Sequence, residues 1–176
     1  MRTSRQLLLP ISLGSADGIL NALTLAASSF IGGARHATVG LAWRISVAAL
    51  VTAGFAVFVA DYSEARGNLR HASRELSMPT ETGLLDTELG RTALHKAARN
   101  SALASGASLV GALAPLLLAA ILPGPGWIAA AIAVLALGAL GVALARAVLA
   151  NPVRWAVTLM LGGIAVTAIG AWLKIA

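Results

Sequence analysis

The chain has 176 residues, of which 58% are hydrophobic and only 11% are charged, and its formal net charge is +6. Long apolar runs in such a composition are typical of a transmembrane protein, and too little of the chain is polar to form a basic nucleic-acid-binding domain. The sequence contains no cysteine, which excludes disulfides, thiolate metal sites and cysteine nucleophiles.

Five segments are long enough to cross a bilayer as helices, at about 20 residues per crossing. Short connectors with glycine or proline, which favour turns, separate most of these segments. The exception is a long charged connector at 62–100. We therefore predict an all-α membrane protein whose single transmembrane domain covers 1–176. The predicted spans are approximately 7–31, 39–61, 101–122, 127–149 and 153–173.

The first predicted span carries one carboxylate, Asp17, near its middle. A charge at that depth costs about 2.5–3.5 kcal/mol on insertion scales and usually faces a partner, a cavity or an ion path. Asn21, Thr24 and Ser28 follow on the same helix face. The nearest candidate for an ion pair, Arg44, lies near the far end of the second span. A carboxylate without a fixed cation tends to bind a proton, so one group can carry either a proton or a metal ion.

The start of the chain also has features of a signal peptide. Arg2 and Arg5 precede the first apolar run, as positive residues do in such a peptide. However, the run continues well past the usual length of a signal-peptide core, and cleavage near 26–28 would remove Asp17. We therefore expect the first helix to be retained.

The connector at 62–100 is predicted to be cytosolic and to form two helical extensions of the second and third spans, separated at Pro79. Its charged side chains are expected to be solvated. A sharper alternative is a small cytosolic metal-binding platform, since carboxylate and imidazole groups suit divalent transition metals. The candidate ligands are Glu75, Glu81 and Glu88, with Glu64, His71, Asp86 and His95 in the same stretch.

The third span begins with small polar residues, interpreted as a packing surface that lets helices approach closely. They are Ser101, Ser105 and Ser108, followed by Ala112.

The distribution of Lys and Arg predicts the orientation in the membrane. With the N-terminus in the cytosol, ten of the 13 basic residues lie on the cytosolic side and three on the outer side. We expect an integral protein of a bacterial cytoplasmic membrane, with its C-terminus outside. The cytosolic set is Arg2, Arg5, Arg66, Arg70, Arg74, Arg91, Lys96, Arg99, Arg146 and Arg154, and the outer set is Arg35, Arg44 and Lys174.

Enzymatic activity is not expected. The sequence has no Ser-His-Asp arrangement, no HExxH motif and no glycine-rich phosphate loop. Its His residues lie in the connectors, outside the predicted spans. A transporter without a tightly bound cofactor is the function class that fits best.

Several short motifs together resemble the vacuolar iron transporter (VIT) family. Residues 11–20 read ISLGSADGIL, similar to the mid-membrane Asp-Gly motif of that family's first helix. Residues 60–66 read ADYSEAR, similar to the Gly-Glu-Tyr end of its second helix. The resemblance covers nearly the whole chain in order. Segments similar to the third helix are NSAL at 100–103 and GALAPL at 111–116, and those similar to the fifth are NPVR at 151–154 and LGGIA at 161–165.

The resemblance implies a homodimer of five-helix subunits that exports ferrous iron or manganese from the cytosol in exchange for protons. Asp17 would be the central metal ligand and proton carrier. Asp61 and Glu64 would form the inner mouth, and Asn21 would be a further ligand. The other residues lining the path would be Thr24 and Ser28.

The sequence departs from the family pattern at three points. The connector at 62–100 is too short for the family's large cytosolic metal-binding domain, and Ala60 replaces a glycine. The stretch FAVFV at 55–59 lacks the methionine that often supplies a soft ligand there. These departures leave an alternative function, a non-transporting dimeric scaffold or sensor with the same fold. Export of another small cation or solute is a third.

The predicted orientation can be tested with single cysteines, because the sequence offers no competing thiol. A membrane-impermeant maleimide should label Ala34→Cys in intact cells and should label Thr82→Cys only after the membrane is opened. The reverse pattern would show that the N-terminus lies outside.

Overall fold

A computed structural model of the chain describes residues 2–31, 39–75, 87–121 and 127–173. Within these ranges the protein is α-helical and contains no strand, which confirms the predicted all-α class. The described helices are α1 (Arg2–Ile31), α2 (Val39–Glu75), α3 (Glu88–Ile121), α4 (Trp127–Ala147) and α5 (Pro152–Leu173).

In the described part of the chain, four helices are long and apolar enough to cross a membrane. Helix α1, whose side chains are described for 8–24, is not among them. This pattern is that of an integral membrane protein. The four apolar stretches are Ala42–Glu75, Glu88–Leu118, Ala130–Ala147 and Pro152–Ile169.

Helices α2 and α3 are longer than a bilayer requires. They have 37 and 34 residues, against the roughly 20 needed for one crossing. The surplus of each helix carries exposed charged side chains, such as Arg70 on α2 and Arg99 on α3. The residues between them, including Pro79, Glu81 and Asp86, lie outside the described ranges.

Helix α1 occupies the centre of the bundle and contacts each of the other four helices. Against α4 it buries Ile19 and Leu23, which form a core cluster with Leu137. Gly163 of α5 packs directly on this cluster. A methyl group added at Gly163 would lie only 2.6 Å from Cδ1 of Leu137, so there is no room for a side chain. Most other side chains of α5 are exposed on the single chain, as expected of a helix that faces lipid or another subunit.

The crossing of α1 and α3 depends on glycine. Gly14 lies against the backbone of Ala104, and Gly18 lies against the backbone of Ser108. A methyl group at Gly14 would approach the Cα atom of Ala104 to 2.8 Å, which is closer than real side chains come. The two helices can therefore touch only because these positions lack a side chain.

The turn between α4 and α5 is closed by local hydrogen bonds. The N–H of Ala150 donates to the carbonyl of Ala145 at 2.9 Å, and Leu149 between them has a left-handed φ of 57°. This is a Schellman-type helix end, with leucine where glycine is usual. Asn151 then caps α5, because its side-chain oxygen accepts the N–H of Val153 at 3.0 Å.

Substitution of Gly14 by alanine should destabilise the protein by about 1–3 kcal/mol, the usual cost of overpacking a tight contact. Gly106→Ala on α3 is the matched control, since a methyl group there meets no described atom within 4 Å. Thermal unfolding in detergent should show a lower midpoint for Gly14→Ala and an unchanged or higher midpoint for Gly106→Ala. Equal midpoints for the two variants would contradict the close crossing.

Candidate functional site

Asp17 lies at the α1–α3 crossing and is half-buried. Its Oδ2 atom accepts hydrogen bonds from Nδ2 of Asn21 and from Oγ of Ser108, each at 3.3 Å. Asn21 reaches it because residues four apart are neighbours on a helix. Ser108 reaches it because Gly18, next to Asp17, lies against the Ser108 backbone. Among the described residues, the hydrogen-bond partners of this carboxylate are therefore uncharged donors from two helices.

Ser108 joins three helices through one hydroxyl group. The residue is fully buried, and its Oγ also lies 3.1 Å from the carbonyl oxygen of Ala49 on α2. A hydroxyl has only one proton to donate. When Asp17 is ionised, Ser108 can donate to it. When Asp17 carries a proton, the acid can donate to Ser108, which then donates to the carbonyl of Ala49. At any one time the single hydroxyl proton of Ser108 can therefore serve either Asp17 on α1 or the carbonyl of Ala49 on α2.

Thr24, the next residue of the predicted polar stripe on α1, does not join this cluster. Thr24 is exposed, and its hydroxyl donates to the carbonyl of Asn21 within the same helix at 2.8 Å. Such back-bonding satisfies the hydroxyl locally. The side chain of Ser28 lies outside the described residues. The structure therefore brings Asn21, but not Thr24, to the carboxylate of Asp17.

Asp61 forms a second polar contact, between α2 and α3. Its Oδ2 accepts a hydrogen bond from Nδ2 of Asn100 at 2.6 Å. Asn100 is only 7% exposed, and its Oδ1 atom has no hydrogen-bond partner among the described residues. Leaving a buried acceptor unpaired costs about 1–3 kcal/mol, so native structures rarely do so without a reason.

A cavity of about 430 Å³ opens beside Asp61 and is lined by α1, α2 and α3. Its polar lining comes from Asp61, Glu64 and Asn68 on α2 and from Lys96 and Asn100 on α3. The remaining lining is apolar. On α1 it consists of Leu9, Pro10 and Leu13.

The cavity stops short of Asp17. Its wall on α1 ends at Leu13, one helical turn before Asp17, which is about 6 Å along the helix axis. On α3, Asn100 and Ser108 are eight positions apart, or about 12 Å. Ala53 and Ala104, at intermediate positions on α2 and α3, are buried. Close packing of small residues thus separates the two polar sites.

The candidate ligands on the connector are exposed where they are described. Glu75 ends α2, and Glu88 pairs with Arg91 at 3.0 Å in an exposed contact of small energetic value. Glu81 lies outside the described ranges. Within those ranges, no three His, Asp or Glu side chains form a group able to hold a metal ion. The cytosolic platform therefore stays a prediction.

Two residues of α3 have a larger part in these sites than their sequence context indicates. The sequence predicts only a packing role for Ser108, and Asn100 stands out only as part of a short motif. In the structure each donates to one of the two carboxylates. The available signal was a polar residue within an otherwise apolar helix, which needs a partner once it is buried.

No protein-family model, no curated protein and no solved structure matches this chain. The resemblance to the VIT family accordingly stays a prediction from short motifs.

Ser108→Ala should destabilise the protein by about 1 kcal/mol, because it removes a hydroxyl that bridges helices inside the bundle. Ser105→Ala is the matched control, as Ser105 is half-buried one turn earlier and its hydroxyl makes no hydrogen bond to a described residue. Chemical unfolding of both variants in detergent provides the measurement. If Ser105→Ala lowers the free energy of unfolding as much as Ser108→Ala does, the hydrogen bonds of Ser108 make no specific contribution to stability.

Proposed function

We propose that this chain is a proton-coupled exporter of divalent metal ions, with ferrous iron or manganese as the substrate. The observation that carries the proposal is the environment of Asp17, a carboxylate inside an apolar helical bundle whose recorded partners are uncharged side chains. An intramembrane carboxylate of this kind is normally functional. Without a fixed positive partner it can exchange a bound proton for a cation.

The cavity beside Asp61 would serve as the entrance. It offers two carboxylates, Asp61 and Glu64, against one ammonium group, Lys96. This excess of negative charge attracts cations. Its wall reaches α1 at Leu13, so an ion bound there would be about one helical turn from the level of Asp17.

Coupling between proton and metal requires that the two forms of Asp17 make different contacts, because a ligand shifts a conformational equilibrium only by its differential affinity. The hydroxyl of Ser108 provides such a difference. With a proton on Asp17, Ser108 is free to bond the carbonyl of Ala49. With Asp17 ionised, the same hydroxyl can turn to the carboxylate. The hydrogen bonding between α2 and α3 would thus change in each transport cycle.

Membership of the VIT family, a homodimeric assembly and a cytosolic N-terminus belong to the same proposal. The order of the motifs supports the family, and the ten-to-three distribution of basic residues supports the orientation. The lipid bilayer and a second copy of the chain would then be the structural partners.

A scaffold or sensor without transport activity is the second candidate. It is favoured by the fact that Asp17 and Asp61 are each hydrogen-bonded to a side chain of α3. Two such bonds would give both carboxylates a purely structural role. Metal flux through the purified protein distinguishes the two functions.

Asp17→Asn should reduce the flux of Mn²⁺ or Fe²⁺ into proteoliposomes by about tenfold or more, together with the coupled proton flux. The amide keeps an acceptor for Asn21 and Ser108, so the fold should persist, but it cannot exchange a proton for a metal ion. Glu88→Gln is the control, since it neutralises an exposed carboxylate at the start of α3. Unchanged flux in Asp17→Asn would reject the mechanism, and absence of flux in the wild type would favour the scaffold.

A further inference from the structure

The orientation of the Asn100 amide is determined by its neighbour. Its Nδ2 atom lies 2.6 Å from Oδ2 of Asp61, and a carboxylate accepts hydrogen bonds from N–H donors. Turning the amide over would place its oxygen against another acceptor. The Oδ1 atom is therefore the part of Asn100 that remains free.

The residue that carries this free oxygen lines the cavity. Asn100 lines the cavity, is only 7% exposed, and has its Oδ1 unpaired among the described residues. The cavity lining also includes two donors, the ammonium of Lys96 and the amide of Asn68, but neither donates a hydrogen bond to this oxygen. A buried acceptor that is left unpaired on a residue lining a space of about 430 Å³ calls for a ligand.

The neighbouring groups indicate the chemistry of that ligand. Asp61 and Glu64 are three positions apart, so they share one face of α2, and both line the same cavity as Asn100. Together they offer two carboxylates and one neutral carbonyl-type oxygen. Oxygen ligands of this kind suit Mg²⁺, Ca²⁺ and Mn²⁺, whereas thiolate and thioether groups would be needed to favour soft ions.

We propose that Oδ1 of Asn100 is a metal ligand beside Asp61 and Glu64, in a site that takes oxygen-preferring divalent cations such as Mn²⁺. Water would complete the coordination. The N–H of the same amide holds Asp61 in place, so Asn100 both contributes a ligand and positions one. The inference rests on the proposed function in one respect, namely that the bound ion is the transported one.

Equilibrium binding of Mn²⁺ to the purified full-length protein in detergent tests this site without requiring transport. Electron paramagnetic resonance of the free aqueous ion gives the bound fraction. Asn100→Leu should weaken Mn²⁺ binding by about tenfold or more, the usual effect of losing a ligand-orienting group. Asn68→Ala, which truncates an exposed amide on the same wall, should bind Mn²⁺ as the wild type does.

Asn100→Asp distinguishes two roles of Asn100, ligation of the metal through Oδ1 and positioning of Asp61 through the amide N–H. The variant keeps an oxygen in place of Oδ1 but loses the N–H that holds Asp61, so binding close to the wild-type value supports direct ligation. It also provides the answer if Asn100→Leu does not fold. Loss of binding in Asn100→Asp equal to that in Asn100→Leu would overturn the proposal.

Two further outcomes would also overturn it: no Mn²⁺ bound by the wild type, or equal weakening by Asn68→Ala and Asn100→Leu. Failure of the proposed function looks different. Mn²⁺ binding that depends on Asn100, without any flux in proteoliposomes, would support this site and reject export. Normal flux, together with Mn²⁺ binding that Asn100→Leu does not weaken, would support export and reject this site.

Discussion

The contact between the backbones of α1 and α3 determines both the packing and the chemistry of this protein. Gly14 and Gly18 let α1 lie directly on Ala104 and Ser108. In an apolar solvent, helices gain little from hydrophobic burial against each other, so close approach and interhelical hydrogen bonds must hold them. The same approach brings Asp17 of α1 to the hydroxyl of α3. The energetic cost of a carboxylate inside the bundle is thereby partly offset by the contact that stabilises the bundle.

Helix α3 supplies a polar partner from another helix for each of the two carboxylates. Asn100 donates to Asp61, and Ser108 donates to Asp17 about 12 Å further along the helix. Both bonds join α3 to another helix, so a shift of α3 along its axis would change them together. This rigid connection is a physical route by which occupancy of the cavity could affect the state of Asp17.

The sequence was sufficient for the features that depend on local periodicity. It predicted an all-helical chain, and the spacing of Asp17 and Asn21 placed these residues on one face, where they hydrogen-bond. The partners on α3 are 91 and 39 positions away from the carboxylates they contact. Which serine or asparagine of α3 faces a given carboxylate depends on the register of two packed helices, which no spacing within one segment determines.

The polar stripe on α1 shows that residues on one helix face need not belong to one site. Thr24 shares a helix face with Asp17, yet its hydroxyl is satisfied by the carbonyl of Asn21 and has no need of a tertiary partner. A polar residue in an apolar helix can therefore satisfy its hydrogen bonds locally if it is a threonine or serine. A carboxylate has no N–H or O–H to donate when ionised, so it must find donors on other residues. Asp17 is for this reason a stronger indicator of function than the hydroxyl residues that follow it.

Under the proposed function, ions would have to cross the packed region that separates the cavity from Asp17. Ala53 and Ala104 are buried at the intermediate level, and Gly14 lies against Ala104 there. These three residues are all small. Movement of α1 away from α3 would itself open the path, and it would also lengthen the contact between Asp17 and Ser108. Opening toward the cavity and release of the carboxylate from its hydroxyl partner would then be one motion.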